Sequence, residues 1–280
     1  MVDIEELIRG GVSLRVALAI GLFISLAASF EATRRAIPKL RGANIVGRDI
    51  HKEGRPEIPE MGGLGVFIGI NVGAFAILAL APVLPETRAL IMSGLIVAGG
   101  ACITGVIDDL IDLRQRFKAF IPFIFAAPLA LFASDTTITV PHYGAIPFGL
   151  AYTLIVVPTA VACASNGFNM LEGMNGLGTG FGIILATAFS FLAIYRGDSD
   201  GLILLLPLLG ALAGFLWFNA YPAKIFPGDT MTLTTGAVLG SVAILAKIEF
   251  WAAVLMIPYG IEFLLKLVSR FEAESFASRI

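Results

Sequence analysis

Apolar runs close to twenty residues long, separated by short polar segments, dominate the chain. A helix of about twenty apolar residues spans the hydrocarbon core of a bilayer and satisfies its own backbone hydrogen bonds there. The pattern therefore predicts an all-α polytopic membrane protein. About nine transmembrane helices are predicted, at residues 13–30, 61–84, 88–107, 119–133, 148–163, 177–195, 201–218, 230–248 and 250–268.

The distribution of charge predicts the orientation of these helices. Thirteen of the 19 Lys and Arg residues fall in alternate loops and in the C-terminal tail. The positive-inside rule makes those segments cytoplasmic and places the N-terminus outside. With 57% hydrophobic and 14% charged residues, the chain is too apolar for one soluble core, so we expect a single integral membrane domain over residues 1–280. The net charge of −2 gives no indication of nucleic-acid binding.

Four of the predicted inner segments carry clustered carboxylate, amide and glycine residues. The second begins with Asp108 and Asp109 at the end of an apolar run. If this segment is helical, Asp108 and Asp112 share one face, and so do Arg114 and Lys118. Carboxylates at a membrane boundary are costly unless they bind something, which indicates a functional site. A set of local ion pairs at a helix end is the alternative.

The third and fourth inner segments are rich in oxygen ligands. Residues 166–177 contain Asn166, Asn169, Glu172 and Asn175, with three glycines and no basic residue. Amide and carboxylate oxygens suit a hard cation or the edge of a sugar or base, although Asn-Gly pairs also occur in ordinary turns. In the fourth segment Asp229 follows Pro-Gly, where a helix N-cap explains it nearly as well as a metal ligand.

The first inner segment contains Asp49, Lys52 and Glu60 and ends in Gly62 and Gly63 at the start of a span. Glycine at a helix start serves either an anion or close helix packing, and the sequence leaves both open. Together the four segments offer oxygen ligands for magnesium and cations for phosphate beside a bilayer. This combination predicts a phosphorylated water-soluble donor that meets a lipid acceptor.

Over residues 47–263 the chain resembles the polyprenyl-phosphate N-acetylhexosamine-1-phosphate transferase superfamily, glycosyltransferase family 4. The motifs are most similar to the dolichyl-phosphate N-acetylglucosamine phosphotransferase branch. The resemblance implies magnesium-dependent transfer of N-acetylglucosamine 1-phosphate from UDP-N-acetylglucosamine to dolichyl or undecaprenyl phosphate, with release of UMP. The matching stretches are Asp108-Asp109-x-x-Asp112-Leu113-Arg114-x-Arg116-x-Lys118, Asn166-x-x-Asn169-x-Leu171-x-Gly173-x-Asn175-Gly176-Leu177 and Gly228-Asp229-Thr230.

The resemblance also implies roles for individual residues. Asn169 and Asp229 would hold Mg²⁺, with Mn²⁺ as an alternative. Asp108 and Asp109 would orient or deprotonate the acceptor phosphate, while Lys118 would hold phosphate. The site would lie on the cytoplasmic face of a prokaryotic plasma membrane, and a homodimer is left open. The predicted substrate-binding residues are Asp49, Lys52, Glu60, Asp112, Arg114, Arg116, Asn166, Glu172 and Asn175.

Several alternatives stay open. They are the same reaction with another UDP-sugar such as UDP-MurNAc-pentapeptide, a two-step route through an aspartyl phosphate, a secondary transporter and an intramembrane aspartyl protease. Superfamily members also have a fifth inner loop with a His or Arg motif, followed by a tenth span. We expect either a chain that lacks this part or a divergent member in which Arg270 or Arg279 substitutes, since His51 and His142 lie elsewhere.

Overall fold

A computed structural model of the protein describes residues 12–49 and 52–268; His51, Arg270 and Arg279 lie outside the described residues. The strands are β1 (Val46–Arg48), β2 (Glu57–Pro59), β3 (Thr137–Val140) and β4 (Gly144–Pro147). A π-helical turn spans Tyr152–Val156. The α-helices are α1 (Leu14–Gly42), α2 (Gly63–Leu80), α3 (Pro85–Ile111), α4 (Gln115–Phe125), α5 (Ala127–Phe132), α6 (Val157–Met170), α7 (Leu177–Tyr195), α8 (Leu202–Asn219), α9 (Gly228–Leu245), α10 (Glu249–Leu255) and α11 (Ile257–Val268).

The predicted helical class is confirmed. Within the described residues, seven helical segments are long and apolar enough to cross a membrane. They correspond to the first seven predicted spans, which identifies an integral membrane protein. The predicted ninth span is two short helices, α10 and α11, separated at Met256. The span count of nine and the outside position of the N-terminus stay predictions.

Helix α9 is the centre of the fold. Every residue from Thr230 to Ile244 is buried, and α9 packs against α3 and α6. The approach to α3 requires Gly105, because a Cβ atom at that position would lie 2.4 Å from the Cα of Thr230. Since neighbouring helices cover α9 on all sides, its polar residues are not exposed to lipid. The fold thereby positions Asp229, in the first turn of α9, among the loops at one end of the helices.

Two small antiparallel hairpins lie at opposite ends of the helices. The pairing of β3 with β4 confirms the hairpin predicted from the alternation at residues 137–140. The pairing of β1 with β2, which places Val46 opposite Pro59, was not predicted. The β1–β2 hairpin brings the first inner segment over the end of α9.

The second inner segment is not one continuous helix, so the condition under which Asp108 and Asp112 would share a helix face is not met. Helix α3 ends at Ile111, and Asp112 adopts a left-handed conformation with φ of 53°. The Asp108 carboxylate stabilises this break by accepting a hydrogen bond from the Leu113 backbone N–H at 2.8 Å. In a continuous helix, residues 108 and 118 would lie about 15 Å apart. The break instead allows Lys118, in α4, to turn back to Asp108.

Candidate active site

The first and fourth inner segments are joined through backbone hydrogen bonds. The N–H groups of Gly62 and Gly63 donate to the carbonyls of Phe226 and Pro227, each at 2.9 Å, and the Phe226 N–H donates to the Pro59 carbonyl at 2.7 Å. The first N–H groups of α2 are therefore engaged by protein. Of the two alternatives for this glycine pair, the structure supports close packing.

The carboxylate of Asp109 binds the N-terminus of α9. It accepts hydrogen bonds from the backbone N–H groups of Asp229 and Thr230, at 2.8 and 3.1 Å, and from the Thr230 hydroxyl at 2.6 Å. Gly228 has φ of 66°, and a Cβ atom there would lie 2.5 Å from this carboxylate. Asp109 thus caps α9, so the side chain of Asp229 is available for other contacts.

Lys118 lies at the centre of the site. Its Nζ donates to Asp108 Oδ2 at 2.8 Å and also contacts Asp229 Oδ2. Asn169 completes the group when its amide is oriented by the hydrogen-bond network, an assignment made from its neighbours. In that orientation Asn169 accepts from Lys118 at 2.9 Å and donates to Asp229 at 3.1 Å. We call these four residues the central cluster; α3, α4, α6 and α9 each supply one.

A second polar group lies beside the central cluster. Asn175 donates through Nδ2 to Asp49 Oδ2 at 3.1 Å, and the Lys52 ammonium pairs with the same oxygen at 2.9 Å. Lys52 also lies 5.4 Å from the ring centroid of Tyr221. Asp49 is buried, so these contacts compensate its charge. They join the first, third and fourth inner segments over the end of α9.

Glu172 occupies the turn between α6 and α7. Burial raises the pKa of its carboxyl to about 8, although a hydrogen bond from the Gly178 backbone N–H acts in the opposite direction. Its Oε2 atom has no hydrogen-bond partner among the described residues. Such an environment favours the neutral form of the carboxyl, or a ligand that supplies a donor to it.

A continuous cavity of about 1440 Å³ connects these groups. It extends from the β1–β2 hairpin past the central cluster and along α10 and α11 to Glu249. Arg114 and Arg116 are exposed and do not line it. The structure therefore brings all but three of the predicted site residues to the cavity wall; Lys52, the third, reaches it through Asp49. The predicted residues on the wall are Asp49, Glu60, Asp108, Asp109, Asp112, Lys118, Asn166, Asn169, Glu172, Asn175 and Asp229.

Of the cavity-wall residues outside the predicted set, two bear on the chemistry proposed for the site. The first is Phe226, which lies next to the Pro-Gly-Asp turn. The second is Lys266, on α11. The signal for Lys266 was present in the sequence, since a lysine inside an apolar span is costly unless it has a function. Phe226 had no comparable signal, because one aromatic residue beside a membrane segment is common.

The donor set of the central cluster fits magnesium. No group of three His, Cys, Asp or Glu side chains suited to a metal occurs among the described residues. Mg²⁺ is commonly bound by one or two carboxylates, with waters and substrate phosphates as its remaining ligands. The side-chain oxygens of Asp229 and Asn169 point to the same region, which the Lys118 ammonium now occupies. That region already stabilises positive charge.

Comparison with known proteins identifies the family. Residues 91–247 match glycosyl transferase family 4. A Saccharolobus solfataricus protein provisionally named a UDP-N-acetylglucosamine–dolichyl-phosphate N-acetylglucosaminephosphotransferase is 39% identical over 93% of this chain and 81% of its own length. A Sulfolobus acidocaldarius protein of the same provisional name is 32% identical over the same shares. The phospho-N-acetylmuramoyl-pentapeptide-transferase of Shouchella clausii is 32% identical over 81% of this chain and 74% of its own length.

The helical membrane fold and these matches define a membrane-embedded sugar-phosphate transferase. The chain belongs to glycosyl transferase family 4 and is a phosphoglycosyltransferase. This membership confirms the resemblance inferred from the motifs, and it decides against the transporter and the intramembrane protease. For this family the donor is a UDP-sugar and the acceptor a polyprenyl phosphate.

Proposed function

We propose that the protein transfers N-acetylglucosamine 1-phosphate from UDP-N-acetylglucosamine to a polyprenyl phosphate, with magnesium, and releases UMP. The observation that carries the proposal is the central cluster: two carboxylates, an amide and a lysine that meet in a cavity continuing along lipid-exposed helices. The provisional names of the two archaeal relatives support this sugar. The excess of Lys and Arg in alternate loops supports a cytoplasmic site, and the archaeal and bacterial sources of the relatives support a prokaryotic plasma membrane.

In this proposal Asp229 and Asn169 hold magnesium, and Asp109 positions Asp229 through the cap on α9. Magnesium bound there would neutralise charge on the donor diphosphate. Lys118, whose ammonium lies between Asp108 and Asp229, would share that task. The carboxylate of Asp108 keeps the lysine in place and orients the acceptor phosphate.

The bond changes follow from these positions. An oxygen of the acceptor phosphate attacks the sugar-linked phosphorus, and the bond from that phosphorus to the UMP oxygen breaks, so that UMP leaves with the electron pair. A phosphate monoester is mostly ionised near neutral pH because its second pKa is about 6. A strong general base is therefore unnecessary, which favours direct displacement over an aspartyl-phosphate intermediate. Asp109 is already engaged by α9, and it acts by positioning rather than on substrate.

The remaining polar groups suit the nucleoside and the sugar. Asn175 and Asp49 present an amide and a carboxylate at the hairpin end of the cavity, where Phe226 supplies an aromatic face. Base edges are recognised by such hydrogen-bonding groups and stack on aromatic rings. We assign the uridine to this end of the cavity, whose wall also includes Glu172. The homodimer that the sequence leaves open stays open.

The experiment that tests the proposal measures UMP release in detergent with a polyprenyl phosphate and two donors in parallel, UDP-N-acetylglucosamine and UDP-MurNAc-pentapeptide. We expect release with the first donor and at least about tenfold lower kcat/KM with the second. The bacterial relative motivates the comparison. Asp135→Asn, a carboxylate change just before β3 and away from the cavity wall, is the matched control and should behave like the unaltered protein. Preference for the pentapeptide donor would contradict the assigned sugar.

A further inference from the structure

Helix α11 carries a polar stripe that its position does not require. Tyr259, Glu262 and Lys266 follow each other at spacings of three and four residues and therefore share one face of the helix. The opposite face is apolar and exposed, as expected for contact with lipid; its exposed residues include Ile257, Ile261, Leu264 and Leu265. A charged pair on a membrane helix is costly, so the presence of Glu262 and Lys266 there needs an explanation.

Lys266 faces the cavity close to the central cluster. Its Nζ donates to the backbone carbonyl of Met170 at 2.6 Å and pairs with Glu262 at 3.3 Å. Met170 directly follows Asn169, one of the two proposed metal ligands. The lysine side chain is 16% exposed and lies on the cavity wall. The ammonium group is thus placed between the central cluster and the lipid-facing side of the protein.

The charge of the cavity makes such a cation necessary. Among the described residues that line it, nine carboxylates stand against three cations. Both substrates are anionic, and their phosphates require compensating positive charge. Lys118 is enclosed by the central cluster, and Arg48 lies at the hairpin, paired with Glu57 at 3.8 Å. Among the described residues, Lys266 is the one remaining cation of the cavity wall, and it lies on the side that faces the lipid.

We propose that Lys266 binds the phosphate group of the acceptor lipid, an inference that rests on the proposed function. The lipid is the occupant that fits, because the wall next to Lys266 is apolar and continues along α11 with Phe263, Gly260 and Met256. On binding, the ammonium exchanges its contact with Glu262 for the phosphate. The competing explanation is purely structural: Lys266 satisfies the last carbonyls of α6, as cations at helix C-termini commonly do.

Lys266→Gln separates these explanations, since a glutamine amide still donates to the Met170 carbonyl but carries no charge. Lys266→Arg retains the charge, and Lys39→Met is the control, because it removes an exposed cation of α1 away from the cavity. KM is measured for polyprenyl phosphate, as mole fraction in micelles, and separately for UDP-N-acetylglucosamine, with UMP release as the readout. Because KM does not depend on the folded fraction, partial loss of protein does not obscure the result.

We expect Lys266→Gln to raise the lipid KM about tenfold or more while the donor KM changes by less than about twofold. Lys266→Arg should restore most of the lipid affinity, and Lys39→Met should change neither constant. If Lys266→Gln leaves both KM values unchanged, the inference is overturned, and Lys266 serves only to cap the C-terminus of α6. A rise confined to the donor KM would also overturn it, and would indicate that Lys266 binds the diphosphate of the donor instead. Absence of UMP release by the unaltered protein would instead refute the proposed function, and this inference with it.

Discussion

Removing the carboxylate of Asp109 tests whether this residue positions Asp229 or acts on substrate. The motif resemblance assigned Asp109 to the acceptor phosphate, whereas the structure engages it with the first turn of α9 through three hydrogen bonds. Asp109→Ala removes all three. Thr230→Val removes only the bond from the hydroxyl group, and so provides a graded comparison within the same contact.

The expected magnitudes follow from the number of bonds lost. At about 1 kcal/mol for each hydrogen bond, and up to about 2 kcal/mol for a helix cap, Asp109→Ala should destabilise the protein by about 2–4 kcal/mol. For a chain of this size that corresponds to a decrease in Tm of about 4–16 °C. Thr230→Val should cost about 1 kcal/mol, a decrease of about 2–4 °C. Displacement of Asp229 should also reduce kcat about 100-fold in Asp109→Ala.

The assay combines thermal unfolding in detergent with UMP release at a temperature where each variant is folded. If Asp109 positions Asp229, the loss of stability and the loss of activity should increase together from Thr230→Val to Asp109→Ala. Should Asp109→Ala keep the Tm of the unaltered protein within about 2 °C and still lose activity, the positioning role is refuted. Asp109 would then act on substrate directly.

Other predictions concern the central cluster and the turn beside it. Lys118→Met leaves Asp108 and Asp229 without their shared cation, so it should destabilise the protein by about 3–5 kcal/mol and abolish UMP release; a Tm equal to that of the unaltered protein would contradict this. Chelation of magnesium should stop UMP release and its re-addition should restore it; release that persists in excess chelator would contradict the metal assignment. Because the pKa of Glu172 is raised from 4.5 to about 8, the stability that its neutral form contributes is present below pH 4.5 and is lost as the pH rises through 8. The Tm of Glu172→Gln should therefore fall less between pH 6 and 9 than that of the unaltered protein. An equal fall in the Tm of both proteins would contradict the raised pKa of Glu172 as the cause.

The sequence predicted the central cluster's members because each is a polar residue at the end of an apolar run. Asp108 and Asn169 follow such runs, whereas Lys118 and Asp229 directly precede them, and a membrane boundary makes those positions informative. The contacts among them could not be predicted from local pattern, since Lys118 and Asp229 are separated by 111 residues. Only the assembled helices bring them together.

Two local features were beyond the reach of pattern analysis for physical reasons. Asp112 ends α3 in a left-handed conformation that periodicity does not reveal, and the break redirects Lys118 into the cavity while Arg114 and Arg116 remain exposed. The glycines at the start of α2 are compatible with an anion or with packing. The carbonyls of Phe226 and Pro227, from a distant part of the chain, decide between the two.

The proposed role of Asp229 is to support magnesium-dependent transfer of a sugar phosphate to a lipid. The most direct test uses a UDP-N-acetylglucosamine donor labelled in the sugar-linked phosphate and measures, in the same reaction, the labelled lipid product and the UMP released. Our account predicts equal amounts of both for the unaltered protein with magnesium, and neither without magnesium or in Asp229→Asn. UMP formed without labelled lipid, or undiminished transfer by Asp229→Asn, would contradict it.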